Sequence, residues 1–436
     1  MSDLEKAARA IFYETLRRVD LPTLIHQRVR RDGSRLWVDD RRYDLTRFAG
    51  VVLIGIGKAS LPMGYAMETI LGEELTNGLL VSNRRDPLPL KSQVIIAGHP
   101  VPDANSLRAG KRAIEILSGC RRDSLVIFLI SGGGSSLFES LISDEITLED
   151  LQQLNQILVG CGASIEEINL IRKRFSAIKG GKLKEYIKAD EAIAFLVSDV
   201  NAGDFKTLAS NPLFPEESKP GQFEGIIERY NLGERMPRLF AHTQERLSPI
   251  TQPSAGQGGT RIETCLLAEN RDVVDAAGEL ARGLGFTVRS DSTDVEEPYE
   301  VAVTRLISIV KELKRSNLGS GVCVISGGEV SCQVKGQGFG GRNQEFALYC
   351  AAKLQESGLP NSVVLSCGTD GIDGRSIAVG AVAWAHQFVS SQVDRERLRR
   401  SFQSSDTSSW FSEYGGLIVS GPTGNNLRDL RVILSQ

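Results

Sequence analysis

The 436-residue chain predicts an α/β fold: two α/β domains with mainly parallel sheets flanked by helices. Three observations predict it. Short β-branched runs alternate with longer helical patterns along most of the chain. Several runs are apolar throughout, as suits strands covered on both faces of a parallel sheet. Four of them end in a glycine cluster, the form of loops leaving the carboxyl edge of such a sheet.

In chain order, the stretch from Met1 to Val19 predicts an amphipathic helix, with Leu4, Ala8, Ile11, Leu16 and Val19 near helical spacing. It is too polar for a signal peptide. From Gln27 to Arg42 arginines alternate with aspartates, which reads as a solvated face or loop. Strands are then expected at 50–54, 77–81, 93–97, 124–130 and 192–197. In the second half they are expected at 263–267, 287–289, 321–325, 363–366 and 416–419, and helices at 106–117, 148–159, 271–284 and 343–354. Residues 211–260 break this rhythm and close on the linker-like string QPSAGQGGT. The domain boundary is therefore placed near residue 255. That gives a Rossmann-like N-terminal domain over 1–254 and a second α/β domain over 255–436, with the active site expected in the cleft between them.

Composition narrows the function. A net charge of -3 provides no basic field for nucleic acid or an anionic membrane. The longest apolar runs, such as Leu125 to Ile130, fall far short of the roughly 18 residues that span a bilayer. Seven scattered cysteines without a C-x-x-C pair argue against a disulfide framework and a thiolate zinc site, and point to the cytoplasm. Four histidines, none paired at metal-ligand spacing, argue against a histidine-built metal site.

The chemistry is expected at the glycine clusters: Ser131 to Ser136 (SGGGSS), Ser326 to Glu329 (SGGE), Gly368 to Gly374 (GTDGIDG) and Gly421 to Asn426 (GPTGNN). Ser131, Gly132, Gly133, Gly134 and Ser135 offer unobstructed backbone N–H groups before a helix, an anion-binding form. Lys58, in LIGIGKAS, supplies a cation at a strand's carboxyl end. That string is not a Walker A loop, because Ala59 follows the lysine. Gly336, Gly338 and Gly341 satisfy G-x-G-x-x-G, yet the ribose-binding acid of a dinucleotide fold is missing; Arg342 at the helix start suits a phosphate or carboxylate instead. Asp199, Glu329, Asp370 and Asp373 follow strands, where carboxylates hold Mg²⁺ or accept a hydroxyl proton. For Asp373 a helix-cap or turn role is an equal alternative. His99, in a proline-rich turn, reads as structural.

Together the strings GIGKAS, AGHPVPDANSLRAG, LISGGGSSL, INLIRKRFSAIKGGKL, VSDV, AENRDVVDAA, ISGGEV, GQGFGGRNQEFAL, GTDGIDG and GPTGNNLRDL resemble the glycerate 2-kinase family with its C-terminal MOFRL domain. The resemblance runs from about residue 50 to 430. It implies transfer of the ATP γ-phosphate to the 2-hydroxyl of D-glycerate, with Mg²⁺, and a small-molecule substrate; it leaves a homodimer open. In that picture Lys58 and Arg342 face phosphates or the glycerate carboxylate, and the Ser131–Ser136 loop cradles anionic oxygens. Asp199, Glu329 and Asp370 supply the base or hold metal, Asp199 and Asp370 foremost, while Asn343 and Asn426 orient substrate or nucleotide. Three positions depart from the family pattern: Gly203 where an Asp is expected, Asn211 in place of a Gly, and Ile377 in place of an Asp. The alternatives are a hydroxypyruvate reductase, or a diverged sugar-acid or nucleotide binder without catalysis.

Overall fold

The computed structural model describes residues 2–199, 208–215, 221–240, 259–291, 296–317, 319–388 and 392–436. Its contacts divide into two units. The N-terminal unit is built from Ile25–Val200 with Asp204–Leu267, and the C-terminal unit from Met1–Leu24 with Ala268–Gln436. The expected boundary near 255 falls outside the described residues, and the division differs from it at both ends. The first helix, Asp3–Arg18, buries Leu4, Ala8, Ile11 and Phe12 and packs on the C-terminal unit's helix Asn270–Gly283. An amphipathic face has to be covered, but its pattern does not name its cover.

The N-terminal unit opens with an antiparallel meander of β1 (Val29–Asp32), β2 (Arg35–Val38) and β3 (Arg41–Asp44). The arginine-rich run, expected as a solvated face or a loop, is the solvated face of three strands. Val29, Leu36, Val38 and Tyr43 are buried while the charged residues alternate outward, and Arg30 lies 5.0 Å over the Trp37 ring.

The unit's main sheet is formed by β4 (Val51–Ile56), β5 (Leu75–Ser82), β6 (Gln93–Ile96), β7 (Leu125–Ile130), β8 (Glu191–Val197) and β9 (Arg261–Ala268). Its order is β6-β5-β4-β7-β8-β9, with β4 to β8 parallel. Every residue of β4 and of β7 is buried, as their unbroken apolar runs require. The chain builds outward from β4 to β6 and then returns to lay β7 on the other side of β4. At that reversal the loops leaving β4 and β7 flank the crevice in which open α/β sheets take ligands. β9 was expected to begin the second domain; its pairing at the edge of this sheet corrects that. Between β6 and β7, helix Ala104–Ser118 starts at a capping box in which Asp103 accepts from the Ser106 N–H at 2.9 Å. Helices Leu148–Gly160, Ile165–Phe175 and Gln222–Arg229 form a satellite around Leu154, Leu158, Phe175 and Phe223.

The C-terminal unit holds β10 (Thr287–Asp291), β11 (Glu297–Pro298), β12 (Val322–Ser326), β13 (Val330–Ser331), β14 (Ser362–Gly368), β15 (Gly380–Trp384), β16 (Leu417–Ile418) and β17 (Asp429–Ser435). Its six-stranded sheet has the order β10-β12-β17-β14-β15-β16, and only the β10–β12 pair in it is parallel. The expectation of parallel sheets therefore holds for the N-terminal unit, whereas this sheet is mixed. β17, which the sequence pattern did not reveal, inserts antiparallel between β12 and β14, and β15 and β16 add two further antiparallel pairs. Helices Asn270–Gly283, Tyr299–Ser316 and Arg342–Glu356 belong to this unit, and its core gathers Val303, Leu306, Phe346, Val364 and Ile433. Among the described residues, no helix is long and apolar enough to cross a membrane.

Candidate functional site

In the N-terminal unit the loops after β4 and β7 are bonded into one structure. The Lys58 N–H donates to the Gly132 carbonyl at 2.9 Å, and the Ala59 N–H donates to Ser131 Oγ at 3.1 Å. Gly57 sits at φ +120°, and a Cβ there would overlap Ser131; only glycine allows so close an approach. Gly133, at φ +84°, lies against Lys58 and His99: a Cβ on it would be 3.1 Å from Lys58 Cγ and 3.3 Å from His99 Nε2. The strand-end lysine and the glycine-rich loop predicted from sequence are thus neighbours at the switch point. His99 packs against Gly133 beside them, which accords with a structural role for its turn. Ser131 is fully buried and spends its hydroxyl on Ala59, so it ties the loops together. Ser135 is half-buried, with its Oγ 2.7 Å from Ser210 Oγ. Asp199 follows β8 at the same carboxyl edge, one strand beyond β7.

Two of the three departures can be placed, and Gly203 lies outside the described residues. Asn211 has φ +53°, a left-handed backbone that asparagine tolerates better than other side-chain-bearing residues. Its Oδ1 accepts the Phe214 N–H at 2.9 Å, so Asn replaces Gly here without loss of the turn. Ile377 is 82% exposed in the loop after β14, leaving an apolar side chain in water.

In the C-terminal unit the other three glycine clusters converge. Arg342, first residue of its helix, makes a bidentate pair with Asp429 through Nε at 2.8 Å and Nη2 at 3.0 Å, and meets Glu329 at 2.9 Å. Burial opposes the Arg342 charge, but the carboxylates of Asp429 and Glu329 outweigh it and raise the guanidinium pKa. The Arg342 side chain keeps 36% exposure, whereas that of Asp429 has 1%. Asp429 also accepts from Asn343 Nδ2 at 3.0 Å and meets Arg431 Nη2 at 3.4 Å. Asn343 is buried and accepts the Ser366 hydroxyl at 2.6 Å, so it is committed inside the fold. Asp370 borders the same place: a Cβ on Gly368 would lie 3.3 Å from Asp370 Oδ1 and 3.5 Å from Asp429 Oδ1. Asn426 is buried in the GPTGNN loop, which is joined to the GTDGIDG loop by Thr423 Oγ1 donating to the Thr369 carbonyl at 2.5 Å.

Asp373, for which a metal or cap role was open, is a cap. Its carboxylate accepts the N–H groups of Asn343 and Gln344, both at 3.0 Å, at the start of helix Arg342–Glu356. Burial pushes its pKa up to about 6, against the pull of those two N–H groups, and the charge of Asp429 adds to the rise.

The sequence reading missed Asp429, Arg431 and Asn270. Asp429 and Arg431 stand two apart on β17 and so share a face, a charged pair inside an otherwise apolar strand. That pairing was the available signal. Asn270 donates to the Leu427 carbonyl at 2.6 Å and accepts the Gly328 N–H at 2.7 Å, linking two glycine clusters. Nothing in its own segment announces that role.

A Rossmann-ordered sheet with a lysine and glycine loop at its switch point, joined in sequence to a mixed-sheet unit with an arginine and acids at its strand ends, defines a two-unit α/β protein equipped for anionic small molecules. The family model "Domain of unknown function (DUF4147)" matches residues 7–244, and the MOFRL family matches residues 322–429. A D-glycerate 2-kinase of Thermotoga maritima is 32% identical over 87% of this chain and 89% of its own. A glycerate 2-kinase of Pyrococcus horikoshii is 29% identical over 99% and 97%. A putative hydroxypyruvate reductase of Agrobacterium vitis is 31% identical over 88% and 86%. The crystal structure of glycerate kinase from Thermotoga maritima superposes with a TM-score of 0.81 at 29% identity, covering 99% of each chain. The chain belongs to the glycerate 2-kinase family, with a C-terminal MOFRL domain.

Proposed function

We propose that this chain is a glycerate 2-kinase that transfers the γ-phosphate of ATP to the 2-hydroxyl of D-glycerate, giving 2-phosphoglycerate, in the cytoplasm. One observation carries the reading: Lys58 and the Ser131–Ser135 loop are bonded side by side at the switch point of a parallel sheet. Phosphoryl transfer asks the protein mainly for positioning and for charge placed on the transferring oxygens. Lys58 and the loop N–H groups provide both. Arg342, held in place by Asp429 and Glu329, presents the remainder of its guanidinium to a carboxylate or phosphate. Asp199 and Asp370 are the acids assigned to the hydroxyl proton and to metal contact.

Among the described residues no three His, Cys, Asp or Glu side chains gather as a metal cage. Mg²⁺ needs no such cage: it keeps several waters and takes one or two carboxylates beside substrate phosphates. Half-buried Asp370 fits that demand, and Mg²⁺ bound with the nucleotide would neutralise phosphate charge there.

The test is incubation of the purified protein with Mg-ATP and D-glycerate, and separately with NADH and hydroxypyruvate. Formation of 2-phosphoglycerate supports the kinase. NADH oxidation without it moves the chain to the reductase reading borne by the Agrobacterium relatives' name, and ligand binding without turnover makes it a binder. Lys58→Ala is expected to cut kcat by roughly 100-fold or more while the fold persists; unchanged turnover removes Lys58 from the site.

A further inference from the structure

Behind the glycine-rich loop lies a buried ion pair that the proposed mechanism does not use. Lys179 and Glu139 pair with each other, at 2% and 1% exposure. Lys179 Nζ also donates to the Ser135 carbonyl at 2.7 Å. Glu139 accepts the Ser176 hydroxyl at 2.5 Å and the Ser140 N–H at 2.9 Å, and Ser176 Oγ in turn accepts the Lys179 N–H at 3.1 Å. On the far side of Ser135, its Oγ meets Ser210 Oγ at 2.7 Å, and Ser210 donates to Asn169 Oδ1 at 3.3 Å.

A buried ion pair is a poor device for stability alone, since desolvating both ions cancels much of their attraction and apolar residues of equal volume do as well. Here the pair delivers something apolar residues lack: a charged donor fixed on one loop carbonyl. Because the trans peptide is planar, holding the Ser135 carbonyl also fixes the Ser135–Ser136 peptide and the turn Gly134–Leu137. Burial lowers the Lys179 pKa, and the facing Glu139 carboxylate opposes that fall.

We propose that Lys179 is a positioning residue: anchored by Glu139 and opposed by Ser210, it holds the Ser131–Ser136 loop in the shape that receives the anionic oxygens of the substrates. The inference rests on the proposed role of that loop and goes beyond it by naming what sets the loop's shape.

Three variants test it: Lys179→Met, the double variant Lys179→Met with Glu139→Gln, and Ser210→Ala. The single Lys179→Met leaves a lone buried carboxylate and is expected to lower the melting temperature. The double variant leaves neither charge alone and is expected to regain melting temperature while kcat/KM stays down by roughly 100-fold, the scale of a 1 Å misplacement. Ser210→Ala removes the bonds to Ser135 and Asn169, so about a tenfold loss in kcat/KM is expected with only a small fall in melting temperature. In both the double variant and Ser210→Ala, the amides of residues 132–136 should exchange hydrogen faster than in the wild type. Wild-type kcat/KM together with wild-type exchange in the double variant assigns the pair to the core and overturns the proposal. If the double variant does not fold, the same two readouts on Ser210→Ala decide. Exchange needs no turnover, so a wild type inactive on glycerate sinks the proposed function while the positioning claim is still judged on exchange.

Discussion

The Asp373 carboxylate gives the sharpest quantitative expectation. It is 2% exposed and caps helix Arg342–Glu356, which carries Arg342 and Asn343. Its pKa is raised from the ordinary 3.8 to about 6, because burial outweighs the two backbone N–H groups and Asp429 adds repulsion. At about 1.4 kcal/mol per pH unit, that displacement amounts to about 3 kcal/mol. The sign follows from proton binding. Below the unfolded pKa the acid is protonated in both states and its contribution to stability is fully present. As pH rises from about 4 through about 6, the unfolded chain releases its proton first, so the folded state loses that contribution. Asp373→Asn keeps the shape and is neutral at every pH. Urea unfolding of both proteins between pH 4 and 7.5 should show the stability of wild type relative to variant falling by about 3 kcal/mol across that window. Other titrating groups occur in both proteins and drop out of the difference. A flat difference, or one that rises with pH, would refute the claim that desolvation dominates at this cap.

Three further outcomes are expected. Asp429→Asn leaves Arg342 and the 2%-exposed Arg431 facing a neutral amide, and denaturant unfolding should register a loss of about 3–5 kcal/mol. Gly57→Ala forces a side chain onto Ser131 at a positive φ; scanning calorimetry should show destabilisation of about 1–3 kcal/mol, and kcat/KM should fall with it as the Lys58 loop separates from Gly132. Asn211→Gly exchanges the bond to Phe214 for an unstrained left-handed backbone, so its stability in the same calorimetry should stay within about 1 kcal/mol of wild type.

Much of the N-terminal sheet was legible because its central strands β4 and β7 are covered on both faces and write that fact locally as unbroken apolar runs. The glycine clusters were legible for a similar reason: close approaches such as Gly57 on Ser131 admit no side chain, so the constraint is recorded in the residue itself. The β1–β3 meander was not, because its arginines and aspartates hide the alternation of Val29, Leu36, Val38 and Tyr43. β17 was not, because Asp429 and Arg431 read as surface residues until their partners are known. Ser131 and Asn343 were legible as polar groups at strand or helix ends, but their commitments to Ala59 and to Asp429 and Ser366 were not; for Asp373 a cap was one of the open readings, and which helix it caps was not legible.

The sequence by itself determined the α/β class, the family, and the loops at which chemistry is expected, since these rest on local backbone demands and on the covering of apolar strands. Only the tertiary structure decided that helix Asp3–Arg18 joins the C-terminal unit, that β9 closes the first sheet, and that Arg342 is gripped by Asp429 from a strand 87 residues away. Apolar faces and buried charges must be matched, but a linear pattern specifies the need for a partner and not which distant residue meets it.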